Sequence, residues 1–320
     1  ANVETLVSLT ITNTATGEIS GTDDGIRRSG AGSSTSAAVI TIDNAGLITS
    51  TNGGQGIDLG DLVSTSLAIT ITNRETGTIS ASDNDAIMAG MNTTIHNYGQ
   101  IIANYTTTSA DDQNFDGVKF DGGSGTVYNY EGAVISGSYH GIKASGSTDD
   151  ITVNNWGTIE GRNGSGVNSN GTGTVVNYGT ISGTFDPAAS FGDGDGVDFD
   201  GVGTITNYGS ILGLGSKGTK PGETTPSTSE AIAIGGGTIT NGSASVRTAL
   251  ISGANNGILA DDSNRGSILG ALTVTNYGTI RGLDGYGIQI INDAGFSNTI
   301  VNYGVISGTT FAVAMGNGDD

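Results

Sequence analysis

Four aspartates crowd into the stretch GDGDGVDFD: Asp193, Asp195, Asp198 and Asp200. Closely spaced carboxylates on a glycine-rich turn suit a hard cation such as calcium, which takes about six to eight oxygen ligands. The run shares only its outline with the calcium nonapeptide G-G-x-G-x-D-x-U-x, because it does not repeat in tandem. It also lacks the EF-hand order of acids with a distant glutamate. Calcium is the one cofactor the chain suggests, with solvated turn acids as the alternative. A second acidic patch gathers Asp111, Asp112, Asp116 and Asp121 ahead of a matching apolar pair, FDGVKFDGG against GDGVDFDGV. In both, Phe120 and Phe199 take the inward phase and the acids are expected outside.

Catalysis would need more than clustered acids. Glycoside hydrolysis uses two carboxylates at a defined separation, and nucleophilic triads need a histidine beside a nucleophile. The two histidines, His96 in TIHNYG and His140 in SYHGIK, sit in ordinary repeat contexts. His96 reads as the outward member of a strand. The aspartate pairs at 23–24, 111–112, 149–150, 261–262 and 319–320 all lie in turn-like settings. No constellation stands apart from the repeat, so the chain is read as a non-enzyme. A threonine surface facing ice is a third idea, from Thr70/Thr72, Thr204/Thr206 and Thr273/Thr275. Val176, His96 and Asn154 interrupt it.

What positions these residues is a repeat. TITNYGSILG at 204–213 returns as TVVNYGTISG at 174–183, TVTNYGTIRG at 273–282 and TIVNYGVISG at 299–308. Each is followed by a short Gly-(Ile/Val)-x-x-x element. The asparagine before the turn marks eleven copies: Asn13, Asn44, Asn73, Asn97, Asn129, Asn155, Asn177, Asn207, Asn241, Asn276 and Asn302. Spacing runs from 22 residues (Asn155 to Asn177) to 35 (Asn241 to Asn276), so the core of the unit is fixed and its inserts are elastic. Self-similarity at this period signals a solenoid.

Within a unit, Ile69-Thr70-Ile71-Thr72 alternates with the period of two of a half-buried strand. Thr78-Ile79-Ser80 and Ile87-Met88-Ala89 supply a second and a third short strand. Glycine makes up 56 of 320 residues, which argues against helix throughout. Three strands per unit, none able to bury its own face, predict an all-β, right-handed parallel β-helix of about eleven three-stranded coils. At about 4.8 Å between strands, the rod would be roughly 50 Å long. The marker asparagines should form an internal amide ladder. Seven of the eleven are followed by an aromatic residue (Tyr98, Tyr130, Trp156, Tyr178, Tyr208, Tyr277 and Tyr303), which predicts a stack at the turn.

Composition narrows the partners. A formal net charge of −20 disfavours nucleic acid and anionic membrane surfaces. There is no cysteine and so no disulfide. Repetition makes 1–320 one domain, and an uncapped closing FAVAMGNGDD leads us to expect further chain after it. Three inserts interrupt the regular units, at 104–117, 184–196 and 214–230. Binding residues concentrate on loops carried by a rigid scaffold. The candidates there are Asp111, Asp112, Phe115, Asp116, Lys119, Phe185, Phe191, Lys217 and Lys220. On each third strand one outward position runs Arg27, Asp58, Met88, Lys119, Lys143, Asn168, Asp198, Ala233, Leu259, Gln289 and Ala314. That mixture suits a protein or glycan partner better than a catalytic cleft.

Taken together, N-Y-G-x-I-x-G, the following G-I-x-x-x and the closing A-V-A-M-G-N-G-D-D resemble the passenger domains of Gram-negative autotransporters (type V secretion), most of all the repeat-rich alphaproteobacterial ones. The resemblance covers 9–320. It implies a β-helical passenger exported by Sec and carried outward through its own C-terminal outer-membrane β-barrel. It further implies a place at the bacterial surface or in the medium. Such passengers act as adhesins or virulence factors on a host-cell receptor, matrix protein or glycan, or as released effectors that signal through a host receptor. Some are enzymes, and self-association is a further expectation. The Gly-Asp-Ser-Gly motif of the protease type is absent.

Overall fold

The computed structural model describes residues 7–28, 38–64, 66–104, 115–185, 194–215, 229–261, 268–291 and 295–316. These form thirty-three strands and no helix. They fall into three parallel sheets of eleven strands, each taking one strand from every turn of the chain. The first coil supplies β1 (Val7–Asn13), β2 (Glu18–Gly21) and β3 (Ile26–Arg27); the last supplies β31 (Thr299–Asn302), β32 (Val305–Gly308) and β33 (Val313–Ala314). The result is the right-handed parallel β-helix of eleven three-stranded coils that the repeat predicts.

Alternation fixes which residues face in. In β7 (Leu67–Asn73), Leu67, Ile69, Ile71 and Asn73 are buried while Ala68, Thr70 and Thr72 face out. In-register pairing then stacks like on like. The inner residue of the second strand is isoleucine in every coil, from Ile19 through Ile48 and Ile79 to Ile280 and Ile306. β-Branched side chains are stiff and pack well on a pleated surface, so such a column favours this register over a slipped one.

The marker asparagines form an unbroken ladder at the corner between first and second strands. Each Nδ2 donates to the Oδ1 of the next coil's asparagine at 2.8–2.9 Å, from Asn13–Asn44 to Asn276–Asn302. The same amide also reaches the turn carbonyls, as Asn155 does with Thr180 at 3.1 Å. The ladder thereby satisfies backbone groups that a tight corner would leave unpaired. The glycine two residues on is set by crowding: a Cβ on Gly99 would lie 2.2 Å from the Gly77 carbonyl oxygen.

Outside the asparagines, Tyr98, Tyr130, Trp156, Tyr178 and Tyr208 stack with successive centroid separations of 4.0, 5.8, 5.6 and 4.9 Å. Gly242 interrupts the column in the enlarged turn after Asn241, and it resumes as Tyr277–Tyr303 at 4.8 Å. His96 is the outward strand residue expected. It stacks on Tyr128 at 4.9 Å, and its Nδ1 lies 3.0 Å from the Tyr130 hydroxyl. The outer face of the first sheet is more uniform than the isolated Thr-x-Thr pairs suggest. The residue three before each marker is threonine in all eleven coils, from Thr10 and Thr41 to Thr273 and Thr299, in register throughout.

Candidate functional site

The sequence candidates converge on the corner between second and third strands. The segment holding 105–114 joins β11 (Gln100–Ala103) to β12 (Val118–Phe120). That holding 186–193 joins β20 (Thr180–Gly183) to β21 (Val197–Phe199). That holding 216–228 joins β23 (Ser210–Gly213) to β24 (Ile232–Ile234). All three inserts therefore leave and re-enter the rod at the same edge. Asp111, Asp112, Phe191, Asp193, Lys217 and Lys220 lie outside the described residues.

Two of the described acids, Asp116 and Asp195, depart from the expectation that these acids stand outside, whereas Asp121 is exposed as expected. Asp116 is 1 % exposed and Asp195 3 %. Both occupy the position immediately before the Gly-(Ile/Val) of the third strand, where the side chain turns inward and caps the next coil. Asp116 Oδ1 accepts the His140 N–H at 3.1 Å, and Asp195 Oδ1 accepts the Glu230 N–H at 2.6 Å. The device recurs along the corner. The Asp24 carboxylate accepts from Gln55 N–H at 2.8 Å, Asp85 from Asp116 at 2.7 Å, His140 Nδ1 from Ser165 at 2.9 Å and Asn256 from Tyr286 at 2.9 Å. Carboxylate, amide and imidazole are interchangeable here because the position requires only an acceptor.

Of the other binding candidates, Phe185 is 5 % exposed, so it is not a displayed contact. It packs at the base of the inserts near Gly194 and Gly215. Phe115 is half-buried against the core. Lys119 points outward from the third sheet, half-buried, with Nζ 3.9 Å from Asp85. It lies in register beside Lys143, whose ammonium sits 5.4 Å from the Tyr139 ring centroid. The column read from the third strands stays in register, Arg27 beside Asp58 at one end and Gln289 beside Ala314 at the other, but Asp58 and Asn168 within it are buried rather than displayed.

Two of the carboxylates suggested for calcium point to opposite sides of the sheet. Asp195 faces in and is engaged with a backbone amide, whereas Asp198 faces out and accepts from Asn168 Nδ2 at 2.7 Å. Asp200 follows in the next turn. Among the described residues no three histidine, cysteine or acidic side chains come together to hold a metal. The described members of this set do not fit a common ion. Phe120 and Phe199 do fill the inward phase expected of them, both buried.

Three buried titratable groups on consecutive coils give the corner its electrostatics. Burial pushes the Asp85 carboxyl up to about 6. Burial, and then the neighbouring Asp85 charge, hold Asp116 well above the ordinary carboxylate range. Burial, and then the Lys143 charge, hold His140 well below the usual imidazole value. A neutral His140 also follows from geometry, since its Nδ1 is the acceptor for Ser165 N–H. The residue before the Gly-(Ile/Val) or Ala-Ile pair that opens the third strand forms a polar column in the sequence, from Asp24, Gln55 and Asp85 to Glu230 and Asn256. Its direction was hidden because aspartate next to glycine ordinarily reads as a solvated turn.

No family model, no curated protein and no solved structure matches the chain.

Proposed function

We propose that the chain is the β-helical rod of an autotransporter-type passenger, at or released from a bacterial surface, and that it works by binding rather than by catalysis. Its partner is a host-cell protein or glycan, engaged along the corner between second and third strands. One observation carries this reading: the three long inserts, separated by tens of residues in sequence, attach at one edge of the rod. A rigid scaffold that gathers its variable segments on one side suits recognition. Both histidines serve packing, His96 in an aromatic stack and His140 as a coil cap.

The test is saturable binding of the labelled 320-residue chain to cultured host cells, against an unrelated β-helix of similar charge. A variant with 105–114, 186–193 and 216–228 replaced by short Gly-Ser links should keep its β-sheet circular dichroism and lose binding. Equal binding by that variant would remove the insert corner from the interaction. No binding above the control β-helix would remove receptor recognition on those cells. Including EDTA in one arm reads out any calcium requirement of the bound state.

A further inference from the structure

The aromatic column has two ends. Tyr130, Trp156 and Tyr178 each have a ring on both sides, whereas Tyr98 and Tyr208 are each stacked on one face only, Tyr98 by Tyr130 at 4.0 Å and 2° between planes. The Tyr98 end opens on a hollow. The preceding coil carries Arg74, not a ring, at the equivalent position. Arg74 does not close the stack. Its guanidinium turns back to Asp43, with Nε at 2.7 Å and a second nitrogen at 2.9 Å from the two carboxylate oxygens. The bidentate pair orients the guanidinium toward Asp43. What remains is a hollow of about 480 Å³ lined by Arg74, Glu75, Thr76 and Tyr98. This lies within the size range of small-ligand sites.

We propose that this hollow is a sugar-binding site, taking a neutral hexopyranose as an extra rung on the aromatic column. A pyranose has one face made of axial C–H groups, and a bare tyrosine face of negative quadrupole attracts it. The surrounding groups supply hydroxyl chemistry. The exposed Glu75 carboxylate is an acceptor, and the fixed Arg74 guanidinium offers its outer N–H groups. Charge selects the class. Asp43 neutralises Arg74, so Glu75 leaves the hollow net negative, on a chain of net charge −20. Uronic and sialic acids are disfavoured there and neutral sugars are not. The Thr76 hydroxyl is already committed to the Ala45 carbonyl at 2.7 Å and forms wall rather than contact. This site lies at the corner between first and second strands, away from the inserts, and does not rest on the reading of the insert corner.

Saturation-transfer NMR on the 320-residue chain tests it, with methyl β-D-glucopyranoside as probe and methyl β-D-glucuronide as its charged counterpart. Transfer should concentrate on H1, H3 and H5, the axial protons of one sugar face. Tyr98→Ala should weaken binding about tenfold, the worth of one stacking contact. Tyr98→Phe should retain it, Glu75→Gln should reduce it, and the glucuronide should bind less well. Tyr208→Ala, at the other end of the same stack, should leave the signal unchanged. No transfer to the glucoside in the wild-type chain overturns the proposal. So does a signal equal in the folded Tyr98→Ala chain, or one that Tyr208→Ala removes as well.

Discussion

At the scale of single residues, buried polar side chains determine how the coils lock together. Asn155 receives one hydrogen bond from Asn129 and gives bonds to Asn177 and to the Thr180 carbonyl. Asn155→Ala strands partners on both neighbouring coils and should cost on the order of 2–3 kcal/mol, read from urea unfolding. Asn155→Asp should cost more, because a carboxylate cannot donate and would face the Asn177 oxygen. An aspartate variant as stable as wild type would show that donation along the ladder does not matter.

The capping column makes a pH prediction of the opposite kind. Asp85 and Asp116 hold their protons to higher pH folded than unfolded. Their contribution is fully present below the ordinary carboxylate value of 3.8 and is lost as pH rises toward about 6 for Asp85. Asp116→Asn keeps the acceptor for His140 N–H without the buried charge, as Asn256 does elsewhere in the column. It should therefore stabilise the chain at pH 7.5, with the gain vanishing near pH 4. His140 acts the other way. Its folded value is depressed, so its stability is present above 6.5 and declines as pH falls below that. A gain from Asp116→Asn that did not change with pH would sink the charge argument.

At the scale of elements, the strands were legible and the corners only partly so. Ile69-Thr70-Ile71-Thr72 announces a half-buried strand through alternation alone, and the asparagine and aromatic columns follow from identical residues stacked at one repeat position. Asp116 and Asp195 show what alternation cannot reach. They precede the strand rather than belong to it, and only the path of the turn decides that their carboxylates enter the rod. Residue size leaves a further trace. Phe120 is accommodated because Gly125 in the next coil has no Cβ; one would lie 2.1 Å from the ring. Gly125→Ala should therefore destabilise markedly and Phe120→Val should restore much of the loss, a coupling measurable by a double-mutant cycle. Additive losses would mean that the two residues do not share the space.

At the scale of the whole molecule, the repeat makes the rod divisible. Sheet contacts join each coil only to its neighbours, so stability approximates a sum of coil and interface contributions. Removing one complete unit should then leave a folded rod, provided the cut joins equivalent positions. Deleting 155–176 brings Asn177 directly after Asn154, so an asparagine still follows DITVN and precedes YGTISG. The ten remaining coils keep every ladder in register, because Asn129 would meet Asn177 as it now meets Asn155. The variant should retain its β-sheet circular dichroism and shorten by about 4.8 Å in solution scattering. Deleting the same number of residues from 160 to 181 should do equally well, since Glu160 and Ser182 occupy equivalent positions and pair across the sheet. Removing 155–175 instead displaces the first strand by one residue, sending its inward isoleucine and valine positions toward solvent, and should not fold. If all three deletions behave alike, the columns are not what sets the register. If only the third fails, the rod is held by like residues meeting like at every coil.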